Sequence, residues 1–183
     1  MDKKSSIRKR YILKRQNNYF EIKENFFSPL IKLIKNKFQD KKLLISLYYP
    51  NSHELNILKI FHQEKLRKHT FLLPVIEKDI FMSFHEWKKQ DILNLNKYGI
   101  PEPIKYKKRT PHVILVPLVA YDKFKNRLGY GKGFYDKYLK KYLNMPNKIL
   151  KVGIAFSFQK YHNLPSTRND VKLDHIITEK GII

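Results

Sequence analysis

The spacing of apolar residues changes period several times along the chain. Residues 2–17 read as a basic helix with few apolar positions; Lys4 and Arg8 lie four apart, on one face. Between 21 and 38, Phe26, Phe27, Leu30, Ile31, Ile34 and Phe38 recur at helical spacing, which predicts an amphipathic helix. Pro29 predicts a break or kink in it near Ser28. Leu43 to Tyr49 is a short unbroken apolar run, the mark of a buried strand, closed by the turn signal Pro50-Asn51-Ser52. Leu55 to Lys68 reads as a helix with Ile57, Leu58 and Phe61 inward. Short strands are predicted at Phe71–Ile76 and Ile80–Phe84, separated by Glu77-Lys78-Asp79. Asp91 to Arg109 is polar and irregular, with a basic patch at Lys105–Arg109. Val113–Val119 is a strand, Tyr135–Leu143 a helix with Tyr138, Leu139 and Tyr142 on its buried side, and Ile149–Phe156 and Leu173–Thr178 are strands. Strands alternating with helices predict an α/β domain with a largely parallel central sheet. In such sheets ligands bind beyond the carboxyl ends of the strands.

Composition narrows the class. A chain of 183 residues with 42% hydrophobic positions is long enough for one domain, 1–183, with a real core. Cysteine is absent, which excludes disulfides, thiolate metal sites and a cysteine nucleophile, and fits a reducing, cytoplasmic setting. The first residues, MDKKSSIRKRYILKRQ, lack the apolar core of a secretory signal, and no apolar run is long enough to span a bilayer. The formal charge of +22 points toward nucleic acid or an anionic surface. The lysines, however, are dispersed, as in Ile34-Lys35-Asn36-Lys37, and no RNA-recognition, KH or zinc-finger pattern accompanies them. Neither a specific nucleic acid nor a membrane is therefore an expected partner, although a basic nucleic-acid-binding module stands as the alternative from another class. The seven histidines show no metal-binding spacing, and there is no Gly-x-Ser-x-Gly elbow.

The stretch with most chemistry is Arg127 to Asp136, R-L-G-Y-G-K-G-F-Y-D. Glycines at 129, 131 and 133 allow close approach of backbone to a ligand, and successive N–H groups can converge on an anion. Arg127 and Lys132 supply charge for phosphates, and Asp136 can hold the magnesium that accompanies a nucleotide. The spacing is neither that of a P-loop nor that of a dinucleotide loop. A tight loop using glycine for geometry alone is the plain alternative. If a helix begins near Gly133, its N-terminus adds to the phosphate site.

This decapeptide, following a strand that contains Pro117 and leads into Tyr121-Asp122, resembles the signature of the 5-formyltetrahydrofolate cyclo-ligase (methenyltetrahydrofolate synthetase) family. Phe134 stands where that family usually has tyrosine, so any role of a hydroxyl there is lost. Other segments match in order: Lys4-Ser5-Ser6-Ile7-Arg8; Tyr49 through Glu54; Tyr98-Gly99-Ile100-Pro101-Glu102-Pro103; and Asn169-Asp170-Val171-Lys172-Leu173-Asp174. The resemblance implies an open three-layer α/β/α fold. It implies ATP-dependent closure of 5-formyltetrahydrofolate to 5,10-methenyltetrahydrofolate through phosphorylation of the formyl oxygen. ATP would meet Lys4, Arg8, Arg127, Leu128, Gly129, Tyr130, Gly131, Lys132, Gly133, Phe134 and Tyr135, with Lys132 and Arg127 catalytic. The reduced folate, with or without a polyglutamate tail, would meet Tyr49, Glu54 and residues Tyr130 to Phe134; magnesium would meet Asp136 and Asp170; Asp174 would cap or enter the last strand. A monomer is expected. An ATP-dependent phosphoryl-transfer enzyme with another acceptor is the second alternative.

Overall fold

The computed structural model describes residues 2–77, 81–104, 107–143 and 149–183. The strands in chain order are β1 (Leu44–Ser46), β2 (Thr70–Ile76), β3 (Met82–Glu86), β4 (Leu93–Leu95), β5 (Pro101–Pro103), β6 (Lys108–Arg109), β7 (Val113–Pro117), β8 (Ala120–Tyr121), β9 (Arg127–Leu128), β10 (Leu150–Ile154), β11 (His175–Thr178) and β12 (Gly181–Ile182). The helices are α1 (Lys3–Asn17), α2 (Ser28–Phe38) and α3 (Phe134–Lys140). An eight-stranded sheet runs β12-β11-β10-β7-β1-β2-β3-β6. Its inner pairs, β11–β10, β10–β7, β7–β1 and β1–β2, are parallel, and the outer pairs are antiparallel.

The central parallel strand β7 reads as an apolar run because both faces of the sheet are covered there. Val113 and Leu115 of β7 point into one core with Phe26, Phe27, Leu30 and Ile34 of the α2 region. Ile114 and Val116 point into the other, with Tyr138 and Leu139 of α3. The arrangement is an α/β fold with a mostly parallel sheet and helices on its two faces. α1 lies apart, packing Ile7 and Tyr11 on Val119, Ala120, Leu128 and Leu164 just beyond β7. This places its basic face beside the carboxyl edge of the sheet.

The structure corrects or adds to the local expectations in three places and supplies one strand that was not foreseen. The segment after Leu55 is not an α-helix but two 3₁₀ turns, Ile57–His62 and Glu64–Leu66. Its most deeply buried residues, Ile57, Ile60 and Leu66, repeat in threes, the period of a 3₁₀ helix. Gln63 is extended between the turns, and its amide donates to the Glu24 carbonyl at 3.1 Å. The predicted 21–38 helix breaks at Ser28, as Pro29 implied: a 3₁₀ turn, Glu24–Phe27, gives way there to α2, and Pro29 sits in the first turn of α2, where no N–H donor is needed. The stretch 91–109 is more ordered than its polarity suggests. β4 and β5 form a hairpin, and Glu102 Oε2 staples it to β2 by accepting from Ile76 N at 3.0 Å and Asn96 Nδ2 at 3.1 Å. Of its basic patch, Lys105 lies outside the described residues, whereas Lys107 and Arg109 pair with Glu86 at 3.9 and 2.8 Å. Finally, β12 returns antiparallel on β11 through a turn that Gly181 permits at φ 120°. Strand bounds otherwise shift by one to three residues, most at β1, which ends at Ser46 where Tyr49 was expected; Ile80, the first residue of the second short strand, lies outside the described set.

Candidate active site

The carboxyl ends of β1, β2 and β7 open into one cleft of about 580 Å³. Its lining divides by chemistry. Lys4, Arg8, Gly129, Gly131, Lys132, Gly133, Asp136 and Asp170 form a polar, charged part. Tyr48, Tyr49, Glu54, Pro74, Ile76, Met82, Tyr98 and Ile100 form a largely apolar part with one carboxyl group. Leu128, Tyr130, Phe134, Tyr135 and Arg127 also line it. Every residue that the sequence nominated for ATP, folate or metal thus faces a single cavity.

The charged part is internally paired. Lys4 Nζ meets Asp170 Oδ2 at 2.6 Å, which ties the start of α1 to the loop before β11. Asp170 also accepts from Thr167 N at 2.6 Å and Thr167 Oγ1 at 3.0 Å. Burial opposes ionisation of Asp170, but the hydrogen bonds from Lys4 and Thr167 outweigh it and hold its pKa below the ordinary carboxylate value. Arg127 Nη2 meets Asp136 Oδ1 at 2.7 Å, and Val171 N donates to the same oxygen at 2.9 Å. The Arg127 side chain is only 5% exposed, and its other terminal nitrogen donates to the Val171 carbonyl. Arg127 therefore orients Asp136 and the 170–171 loop rather than standing free at the cleft wall.

Arg8 Nε donates to Gly129 O at 2.8 Å, and its guanidinium lies against Gly131. Gly131 and Gly133 both have positive φ, 97° and 71°, and Gly133 is the N-cap of α3. No side chain caps that helix start. Lys132 is exposed, with its ammonium 5.9 Å from the centre of the Tyr98 ring. Tyr98 in turn meets the edge of Phe134 at 5.9 Å.

Glu54 is 7% exposed. Its Oε2 accepts from Asn51 N at 3.0 Å, and the Tyr130 hydroxyl donates to it. Burial pushes its pKa above the ordinary carboxylate value; the Asn51 N–H, the Arg15 charge and Tyr130 pull it back only in part. Tyr130 and Tyr135 are raised in their turn, first by burial and then by the charge of Glu54.

No group of three or more histidine, aspartate or glutamate residues that could hold a metal occurs among the described residues. Asp136 Oδ2 and Asp170 Oδ1 accept no hydrogen bond there, so each carboxylate keeps one oxygen for a cation. That donor set fits magnesium, which takes one or two carboxylates together with phosphate oxygens and waters. Asp174 accepts from Lys151 N at 2.8 Å and pairs with its ammonium at 3.0 Å, at the entry to β11 and away from the cleft lining.

Tyr98, which lines the cleft, and Arg15, which lies behind it against Ser52 and Tyr130, were given no site role in the sequence reading. Tyr98 lies in a hexapeptide that was matched to the family but given no ligand. Arg15 follows Arg8 by seven positions on the α1 face that carries Lys4, a spacing that could have been read.

A sequence profile of the 5-formyltetrahydrofolate cyclo-ligase family matches residues 1–179. The chain is 31% identical over 181 residues to the 5-formyltetrahydrofolate cyclo-ligase of Mycoplasma genitalium, covering 95% of this chain and 96% of that one. It is 32% identical over 130 residues to a probable 5-formyltetrahydrofolate cyclo-ligase of Schizosaccharomyces pombe, a match spanning 63% of this chain and 64% of the relative. The solved structure of Aquifex aeolicus 5,10-methenyltetrahydrofolate synthetase superposes with a TM-score of 0.76 at 32% identity, covering 98% of this chain and 91% of that one. With matched sequence along almost its whole length and the same sheet beneath it, this chain belongs to the 5-formyltetrahydrofolate cyclo-ligase family and is a ligase.

Proposed function

We propose that the protein uses ATP and magnesium to convert 5-formyltetrahydrofolate to 5,10-methenyltetrahydrofolate, releasing ADP and phosphate. The observation that carries this reading is the single cleft in which a glycine-rich loop, two carboxylates with free oxygens and a buried glutamate converge. The chemical obstacle is that an amide oxygen leaves poorly. Attack of the formyl oxygen on the γ-phosphorus forms a P–O bond and expels ADP. Nitrogen 10 of the folate then attacks the formyl carbon, the C–O bond breaks, phosphate departs and the nitrogen-10 proton is lost.

The protein's part is to position donor and acceptor and to neutralise developing charge. Lys4, Arg8, Lys132 and the amides of the glycine-rich loop hold phosphates. Lys132, exposed at the rim, is the group that follows the moving phosphoryl. Arg127 contributes by holding Asp136 in place. Asp136 and Asp170 would hold magnesium, which neutralises phosphate charge when bound. Tyr49 and the loop residues Tyr130 to Phe134 flank the folate, and the Glu54 carboxylate accepts hydrogen bonds from pterin N–H groups.

The test is direct. Purified protein given ATP, magnesium and 5-formyltetrahydrofolate should develop the methenyl chromophore. Full activity after exhaustive chelation and removal of nucleotide would refute the mechanism.

A further inference from the structure

Arg15 is one of the largest fully buried side chains, at 1% exposure, on a helix whose other basic residues mostly face solvent. A buried arginine is poor evidence for stability, because well-packed apolar residues in its place are often neutral or better. Its Nε has no hydrogen-bond partner among the described residues, a further penalty. What the guanidinium touches is informative. Nη2 donates to Ser52 O at 2.7 Å and to the Tyr130 hydroxyl, and Nη1 donates to Leu118 O at 3.3 Å. The group also lies 5.5 Å from the centre of the Tyr130 ring. One side chain thus joins the loop after β1, the exit of β7 and the glycine-rich loop.

The loop after β1 needs such a tether. Ser52 and His53 both adopt left-handed backbone, at φ 49° and 62°, which non-glycine residues hold only where the surroundings enforce it. Glu54 follows immediately. The groups facing Glu54 are Arg15 from α1, Tyr48 from the end of β1, Tyr130 from the glycine-rich loop and Tyr135 from α3. Arg15 is the one cation in this set among the described residues.

We propose that Arg15 is a positioning residue for the folate end of the cleft, holding the strained Glu54 loop and Tyr130 in register with each other. This rests on the reading above, in which Glu54 meets the pterin. Arg15 acts through Glu54 in two ways: it fixes where the carboxyl group sits, and its charge favours the ionised acceptor over the neutral acid.

Isothermal titration of Arg15→Met and Arg15→Lys with 5-formyltetrahydrofolate and, separately, with ATP tests this across the acid-to-neutral range. Arg15→Met should weaken folate binding about tenfold at neutral pH while leaving ATP affinity within about twofold. Its folate affinity should also fall off at a higher pH than in the wild type, by about one unit. Arg15→Lys should restore the wild-type pH profile but only part of the affinity, since lysine keeps the charge and loses the planar fork. In a Glu54→Gln background, Arg15→Met should no longer shift the pH profile. Wild-type folate binding in both single variants overturns the inference, as does a pH-independent loss shared equally by folate and ATP. If Arg15→Met does not fold, Arg15→Lys decides, and wild-type affinity there is the overturning result. Failure of the wild-type protein itself to bind 5-formyltetrahydrofolate overturns the functional reading instead.

Discussion

Adding a methyl group at each glycine of the 129–133 stretch separates backbone geometry from ligand contact. At Gly131 the backbone has φ 97°, where an L-residue is strained by about 1–3 kcal/mol. A Cβ there would sit 3.3 Å from Arg8 Cζ and 3.4 Å from its Nη2, so the guanidinium must shift by a few tenths of an ångström. That guanidinium is pinned by the 2.8 Å bond from Arg8 Nε to Gly129 O, worth about 0.5–1.5 kcal/mol net. Gly131→Ala should therefore destabilise the protein by about 2–3 kcal/mol, lowering Tm by roughly 5–10 °C for a chain of this size. Gly133 has φ 71° but open space around it, so Gly133→Ala should cost about 1–2 kcal/mol from strain alone. Gly129 has no left-handed φ and a Cβ added there would meet nothing within 4 Å, so Gly129→Ala should stay within about 0.5 kcal/mol. Thermal unfolding followed by circular dichroism gives the order, and ATP titration reads the displacement of Arg8. ATP affinity should fall about tenfold in Gly131→Ala. Equal destabilisation by Gly129→Ala and Gly131→Ala would refute the geometric account.

Three further outcomes are expected. Asp136→Asn removes the charge that pairs with the buried Arg127 guanidinium; it should cut magnesium-dependent turnover sharply, spare folate binding and cost about 1–3 kcal/mol of stability by thermal melt. Glu54→Gln should weaken folate binding about ten- to hundredfold, with ATP binding little changed. Because burial raises the folded-state pKa of Glu54, the wild type loses stability as pH rises from the unfolded value through the folded one; Glu54→Gln should melt higher at neutral pH, with the gap closing in acid. An oligonucleotide titration should show weak binding that collapses with salt, and sequence discrimination at physiological salt would count against the dispersed-charge reading.

The fold was legible where burial is two-sided. Val113 to Val119 carries no polar side chain and Ile149 to Phe156 only Lys151, because both faces of the sheet are covered there. It was less legible where local spacing misled. The run after Leu55 has enough apolar residues for an amphipathic helix, but its period is three, and the distinction lies in Ile60 rather than Phe61 being the deeper residue. The β4–β5 hairpin was hidden by its prolines, which count against strands in any local reading. Glu102 secures it through β2, a partner distant in sequence.

The site was legible as a set of chemical types and illegible as a set of pairs. Glycines, cations and carboxylates announce phosphate chemistry by type and spacing. Which cation faces which carboxylate depends on the chain's return to the same sheet edge: Lys4 and Asp170 are 166 residues apart and meet at 2.6 Å. That pairing alters the expected roles. Arg127, free in a sequence reading to grip phosphate, is buried against Asp136, and Lys132 is the exposed cation of the glycine-rich loop. Magnesium and nucleotide would thus enter a cleft in which Lys4–Asp170 and Arg127–Asp136 are already paired, while Arg8 and Lys132 pair with no carboxylate among the described residues. Binding would exchange the Lys4–Asp170 contact for Lys4–phosphate and Asp170–metal contacts, so the net gain is a difference between similar terms. A site arranged this way would draw its selectivity from geometry, through Arg8 on the glycine loop and Arg15 beneath it, more than from raw charge. The overall +22 would then contribute mainly to the rate at which anionic ligands arrive.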